Sequence, residues 1–175
     1  MMTEFEWPWE YTFPPFFTLQ PHEETRNQQI KVWSDLFLRY LKYLNKFQVN
    51  INENTFPLFN NDVIKRRLSP ETITVILEQL QRTGHAAPLD KRRIEWQVYS
   101  YTLEEYANMV YDWIQQTGQL NTICTLYEIA SGENSEGTEF HGVDEAVLLN
   151  AFRTLENKGK CEVVQLDDSF GIKFF

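Results

Sequence analysis

Between residues 23 and 45 the apolar side chains Ile30, Trp33, Phe37, Leu41 and Leu44 recur at intervals of three and four, and Val32, Leu36 and Tyr43 widen the stripe. Side chains so spaced share one face of an α-helix, and the pattern predicts one here. Residues 48–51 alternate as a short strand does, and residues 52–55 are a polar loop. Asn60-Asn61-Asp62 predicts the cap of a short helix ending near Leu68. Ser69-Pro70-Glu71 predicts a stronger helix start, with a Ser hydroxyl to accept from a free amide and Pro at the first helical position. Ile73, Ile76, Leu77 and Leu80 form the buried face of that helix, and Gly84 suits a left-handed terminator. Residues 85–89 and 95–101, joined by Asp90-Lys91-Arg92-Arg93, predict a hairpin.

The pattern then begins again. Thr102-Leu103-Glu104-Glu105 has the form of a capping box, followed by Tyr106, Met109, Val110, Trp113 and Ile114 at helical spacing and by Gly118. A short strand over 122–126, a brief helix over 127–130 and a polar loop over 131–138 come next. Asp144 caps a third helix with Val147, Leu148, Ala151, Phe152 and Leu155 inward and Gly159 at its end. Residues 161–166, the Asp167-Asp168-Ser169 turn and residues 171–175 predict a last hairpin. At an offset of 75 residues, Ser69 falls on Asp144, Ile73 on Leu148, Ile76 on Ala151, Leu77 on Phe152, Leu80 on Leu155 and Gly84 on Gly159. A repeat of that length is one folding unit used twice. A third helix running straight into a two-stranded wing is the order of a winged helix. The expected fold is therefore α+β, mainly helical: two tandem winged-helix domains, 22–101 and 102–175, behind a separate segment, 1–21.

That segment carries its own pattern. Phe5, Trp7, Trp9, Tyr11 and Phe13 stand at a period of two, which predicts an extended backbone, and Pro8, Pro14, Pro15 and Pro21 exclude an α-helix. Seven of the 26 aromatic residues lie in the first 17 positions. So many rings cannot stay solvated, since burying each one stabilises by roughly 2–3 kcal/mol. Two destinations are open: the segment packs over its own first domain, or it docks into another chain as Pro-aromatic ligands do. Pro14-Pro15-Phe16-Phe17 falls short of a PPxY ligand because Phe17 lacks the phenol hydroxyl.

Composition narrows the chemistry. At 175 residues and 42% apolar, the chain can bury a real core, and no apolar run approaches a membrane span. The acidic start, Met1-Met2-Thr3-Glu4-Phe5-Glu6, is unlike a basic signal peptide. Cys124 and Cys161 make no disulfide framework, which fits a reduced cytosolic setting. Residues 1–101 hold 12 acidic and 12 basic side chains, whereas residues 102–175 hold 13 acidic and 4 basic, so the whole formal charge of −9 sits in the second half. Such a surface repels nucleic acid and anionic lipid and favours basic partners. The outer positions of the two third helices are mixed or acidic (Glu71, Glu78 and Arg82; Asp144, Glu145, Arg153, Glu156 and Lys158). Only Lys65-Arg66-Arg67 and Lys91-Arg92-Arg93 are basic clusters, so a nucleic-acid-binding or transcription-related winged helix is the alternative rather than the leading reading. Neither cysteine has a neighbouring histidine in the sequence, and His22, His85 and His141 are far apart. Glu133, Glu136, Glu139 and His141 lack the spacing of a calcium loop or a zinc helix. No phosphate-binding glycine loop occurs, so neither an enzyme nor a cofactor is expected.

Phe13-Pro14-Pro15-Phe16-Phe17-Thr18-Leu19-Gln20-Pro21, Thr25-Arg26, Trp33, Leu58-Phe59-Asn60-Asn61, Thr125-Leu126-Tyr127-Glu128, Glu139-Phe140-His141 and the ending Lys173-Phe174-Phe175 together carry a likeness that runs end to end. The chain resembles the vacuolar protein-sorting subunit twenty-five family, the small winged-helix subunit of ESCRT-II. The resemblance implies a non-enzymatic scaffold in endosomal sorting of ubiquitinated cargo into multivesicular bodies, cytoplasmic and recruited peripherally to the endosomal membrane. It implies docking of the N-terminal segment on two larger ESCRT-II winged-helix subunits, which maps to Pro14, Pro15, Phe16 and Phe17. Trp7, Trp9 and Phe13 extend that candidate surface, although Trp7-Pro8-Trp9 stands where the family's first element varies. It also implies that the second winged helix recruits an ESCRT-III subunit through that partner's basic N-terminal helix. Glu133, Glu136, Glu139, Asp144 and Glu145 are the candidate acids for its approach. Direct nucleic-acid contact is not implied, membrane is reached only through the complex, and self-association of the isolated chain is left open.

Overall fold

The structure, a computed structural model, describes residues 4–175. The start of the N-terminal segment, residues 1–3, lies outside the described residues. The chain divides into two compact units, with the division between Ser100 and Tyr101.

In the first unit, helix α1 (Glu23–Leu44) buries Trp33, Leu36, Phe37, Tyr40 and Leu41 and ends on Asn45, whose φ of 52° is left-handed. Strand β1 (Gln48–Asn50) follows, then the two-residue strands β2 (Asn60–Asn61) and β3 (Arg66–Arg67). Helix α2 (Pro70–Arg82) starts on Ser69, whose Oγ accepts from the Thr72 amide at 3.1 Å, and it buries Ile73, Ile76, Leu77 and Leu80. Strands β4 (Ala86–Pro88) and β5 (Glu95–Val98) complete an antiparallel sheet in the order β1-β5-β4.

In the second unit, helix α3 (Leu103–Gln116) opens on a full capping box between Thr102 and Glu105. Strand β6 (Ile123–Thr125), the short helix α4 (Leu126–Ser131), helix α5 (Glu145–Asn157) and strands β7 (Cys161–Gln165) and β8 (Phe170–Phe174) follow. The sheet order is β6-β8-β7, the order of the first unit again. Helices α2 and α5 have the same length of 13 residues, and their buried positions coincide at the 75-residue offset. Strands β1 and β6 also obey that offset, at 48–50 and 123–125. Each unit is a winged helix: a helix, a first strand, a middle segment, a third element packed as a helix, and a two-stranded wing. The wing of the second unit approaches closely at Gly171, where a Cβ would lie 2.7 Å from Ile123 Cγ2.

One element differs from its sequence reading. The short helix expected from Asn60 to Leu68 is instead the β2–β3 hairpin, with Asn60 opposite Arg67 and Asn61 opposite Arg66. The side chains that suggested a helix cap bind locally in another way. Asn61 Oδ1 accepts from the Val63 amide at 3.1 Å, and Asn60 Nδ2 donates to Asp62 Oδ1 at 3.1 Å. Such local bonds offer the backbone a turn in place of a helix. Val63 is 90% exposed, so a helix here had little apolar face to bury.

Candidate docking surfaces

Among its described residues the N-terminal segment forms no α-helix and pairs with no strand. Extended at Pro8, Phe13 and Thr18, it turns through two short 3-10 helices, Trp9–Thr12 and Pro14–Phe17. Backbone amides close these turns, Tyr11 to Pro8 O at 3.1 Å and Phe16 to Phe13 O at 3.0 Å. The prolines supply the φ that the turns need and lack the amide that a first turn leaves unused. The turns break the simple alternation of rings that a period of two predicts, and they sort the aromatics into two sets.

One set faces the first unit's own core. The Phe16 ring stacks on Trp33, centroids 4.2 Å apart and 6° from parallel, and Trp33 Nε1 donates to Phe16 O at 2.9 Å. Phe17 meets Trp33 edge-on at 5.2 Å. Both phenylalanines are only 3% exposed. Tyr11 Oη donates to Pro57 O at 2.5 Å, Asn61 Nδ2 donates to Tyr11 O at 2.8 Å, and Trp7 stacks on the Tyr11 ring at 3.8 Å. Burial, with Tyr40 and Asp62 nearby, pushes the Tyr11 phenol up to about 12. The β2–β3 hairpin receives Tyr11 through Asn61. Of the two destinations that the sequence left open, the structure places Phe16 and Phe17 on the chain's own domain.

The other set faces outward. Trp9 is 70% exposed and Phe13 48% exposed, edge-to-face at 5.7 Å, with Pro15 also exposed and Pro14 half-buried. They form one wall of an open groove of about 860 Å³ whose other wall is the start of α1, at Glu24, Gln28 and Val32. Glu10 lines the same groove, and its Oε2 is shielded from solvent without a hydrogen bond. The period-two pattern marked the rings but carried no hint of this groove, which depends on two turns.

In the second unit the five candidate acids are all exposed. They do not act alike. Asp144 Oδ1 accepts from the Ala146 amide at 2.9 Å as the cap of α5, Glu145 lies in that helix's first turn, and Glu139 Oε2 accepts from Tyr101 Oη at 3.1 Å. Glu133 opens the short 3-10 turn Glu133–Ser135 and Glu136 follows it. The unit also exposes Ile123 (55%) and Tyr127 (61%), on β6 and α4. The alternation of strand β6 puts Ile123 opposite the buried Cys124, a signal legible in the sequence but not used there.

The three histidines make local contacts that hold the fold. The His22 ring accepts from the Thr25 amide at the start of α1, His85 Nδ1 lies 3.0 Å from Tyr99 O, and His141 Nδ1 lies 2.8 Å from Ser135 Oγ. Cys161 Sγ donates to Phe152 O, and burial pushes its thiol up to about 11; burial also raises Cys124. Both thiols therefore stay protonated near neutral pH, the opposite of a nucleophilic cysteine. Among the described residues no three His, Cys, Asp or Glu side chains gather as metal ligands. The exposed residues of α2 include both Glu71 and Arg82, and Arg93 of the first wing turn is turned back onto the domain, over the Trp96 ring and donating to Gln81 Oε1 at 3.0 Å.

Two winged helices in tandem, preceded by a Pro-aromatic segment, can be compared with known proteins on sequence as well as shape. The family model for ESCRT-II complex subunits matches residues 10–144. The chain belongs to the ESCRT-II complex subunit family. Within that family it is 68% identical over 174 residues to vacuolar protein-sorting-associated protein 25 of Drosophila melanogaster, covering 99% of this chain and 100% of the relative. Its fold is similar to the crystal structure of VPS25, a subunit of the endosomal trafficking complex ESCRT-II, with a TM-score of 0.84, 28% identity, and 96% and 98% of the two chains covered. It is also similar to a chain in the crystal structure of the endosomal complex ESCRT-II (VPS22/VPS25/VPS36), with a TM-score of 0.81, 27% identity, and 95% and 98% covered. Membership of the ESCRT-II family makes protein contact the function to look for in the exposed rings and acids.

Proposed function

We propose that this chain is a non-enzymatic assembly subunit of ESCRT-II that serves endosomal sorting of ubiquitinated cargo into multivesicular bodies. Its N-terminal segment docks on the two larger subunits of the complex, the counterparts of VPS22 and VPS36 in the solved complex. Its second winged helix recruits an ESCRT-III subunit. One observation carries the docking: Trp9 and Phe13 stand exposed side by side on a base that Phe16, Phe17 and Tyr11 fasten to the first domain. Exposed aromatic rings held rigidly lose little entropy when a partner covers them. The two buried phenylalanines position the docking face, and Trp9, Phe13 and Pro15 present it. Among the described residues no helix is long and apolar enough to cross a membrane, which suits recruitment to the endosome through the complex.

The test is a pair of double variants of the full chain. Trp9→Ala with Phe13→Ala keeps the wild-type melting temperature and loses co-elution with the larger subunits. Phe16→Ala with Phe17→Ala lowers the melting temperature as well as binding. Wild-type association by the first pair would remove the docking role from the exposed rings.

A further inference from the structure

The groove beside Trp9 has a chemical asymmetry that ring docking alone leaves unused. Its lining carries two carboxylates, Glu10 and Glu24, and no Lys, Arg or His. The remaining walls are largely apolar, from Trp9, Phe13, Pro15 and Val32. Glu10 Oε2 is withdrawn from solvent and has no hydrogen-bond partner. A carboxylate oxygen in that position has lost water without replacing it, which leaves the Glu10 charge poorly solvated and strengthens its attraction for a nearby cation. A cation for the two carboxylates must enter from outside, because the groove opens to solvent and its lining holds none.

We infer that this groove receives an arginine side chain from a larger ESCRT-II subunit, its guanidinium on Glu10 and its stem along the Trp9 and Phe13 rings. The inference rests on the docking read above and names the chemistry that makes it specific. Guanidinium suits the place on three counts: a planar fork matches a carboxylate, its flat face stacks on aromatic rings, and it is more weakly hydrated than an ammonium. Glu24, on the opposite wall, adds to the attraction for a cation and to the rejection of an acidic competitor. Glu10 is thus a specificity-determining residue: the rings supply contact area, and the carboxylate selects which segment may cover them.

The experiment uses the full chain and the co-purified larger subunits, with affinity measured by calorimetry and the melting of the isolated chain measured alongside. Glu10→Gln keeps an acceptor of the same shape and removes only the charge. It weakens association about tenfold or more, as loss of one member of a desolvated charge pair does, and it does not lower the melting temperature. Glu10→Lys weakens association further. Unchanged affinity in Glu10→Gln, with Trp9→Ala still losing binding, overturns the arginine contact and leaves the docking intact. A fall in the melting temperature of Glu10→Gln makes Glu10 a structural residue and overturns it too. Wild-type binding by Trp9→Ala with Phe13→Ala removes the docking itself, and the inference with it.

Discussion

Trp33 decides where the N-terminal segment goes. It is fully buried, stacks face-to-face on Phe16, meets Phe17 edge-on, and ties the segment's backbone through its indole N–H. Phe16→Ala therefore costs about 3–5 kcal/mol of stability, the usual figure for a large buried ring, and urea unfolding of the isolated chain measures it. Trp33→Phe loses the bond to Phe16 O and costs at least about 1 kcal/mol on that account. Tyr11 gives the same clamp a pH limit. Burial lifts the phenols of Tyr11 and, in the second unit, Tyr106 from the usual 10.0 to about 12. The native state then keeps these protons after the unfolded chain has lost them. Their contribution is full below about pH 10 and is lost as the pH climbs through about 12. Stability should fall across that window, and Tyr11→Phe should flatten the fall in the first unit, as tyrosinate absorbance and denaturant midpoints would register.

At the scale of elements, the 75-residue repeat explains both what the sequence showed and what it hid. Helices α2, α3 and α5 were legible because apolar spacing and capping residues agree in each, and α1 from its apolar spacing alone. Removing a cap tests that agreement: Ser69→Ala and Asp144→Ala each lower stability by about 1 kcal/mol, read from the denaturation midpoint. Both hairpin wings were legible from alternation. The β2–β3 hairpin was not, because Asn and Asp serve caps and turns equally well, and one of its anchors is Tyr11, 50 residues upstream of the Asn61 that binds it. The candidate docking surface divides in the same way. Aromatic crowding in residues 5–17 identified the segment, but which rings turn inward depends on two 3-10 turns and on Trp33, so Phe16 and Phe17 looked no different from Trp9 and Phe13.

At the scale of the whole molecule, charge is the organising fact: a neutral first half and a second half at −9. Exposed rim charges act mainly on association rate and on its response to salt. Association of the full chain with an ESCRT-III subunit bearing a basic helix should slow between low and physiological salt in stopped-flow measurement. Glu133→Lys with Glu136→Lys should slow it further, with a smaller effect on dissociation. Ile123→Asp should act chiefly on dissociation. A rate indifferent to salt would end the steering role of the acidic loop. The N-terminal clamp has a consequence in time as well as space. Residues 5–17 are synthesised before Trp33, Pro57 and Asn61, which build their resting place. At ordinary rates of translation, the 50 residues from Tyr11 to Asn61 take about 3–10 s to make. This aromatic stretch is therefore made seconds before it can be placed, and until then its inward and outward rings are equally open to chaperones and to a waiting subunit.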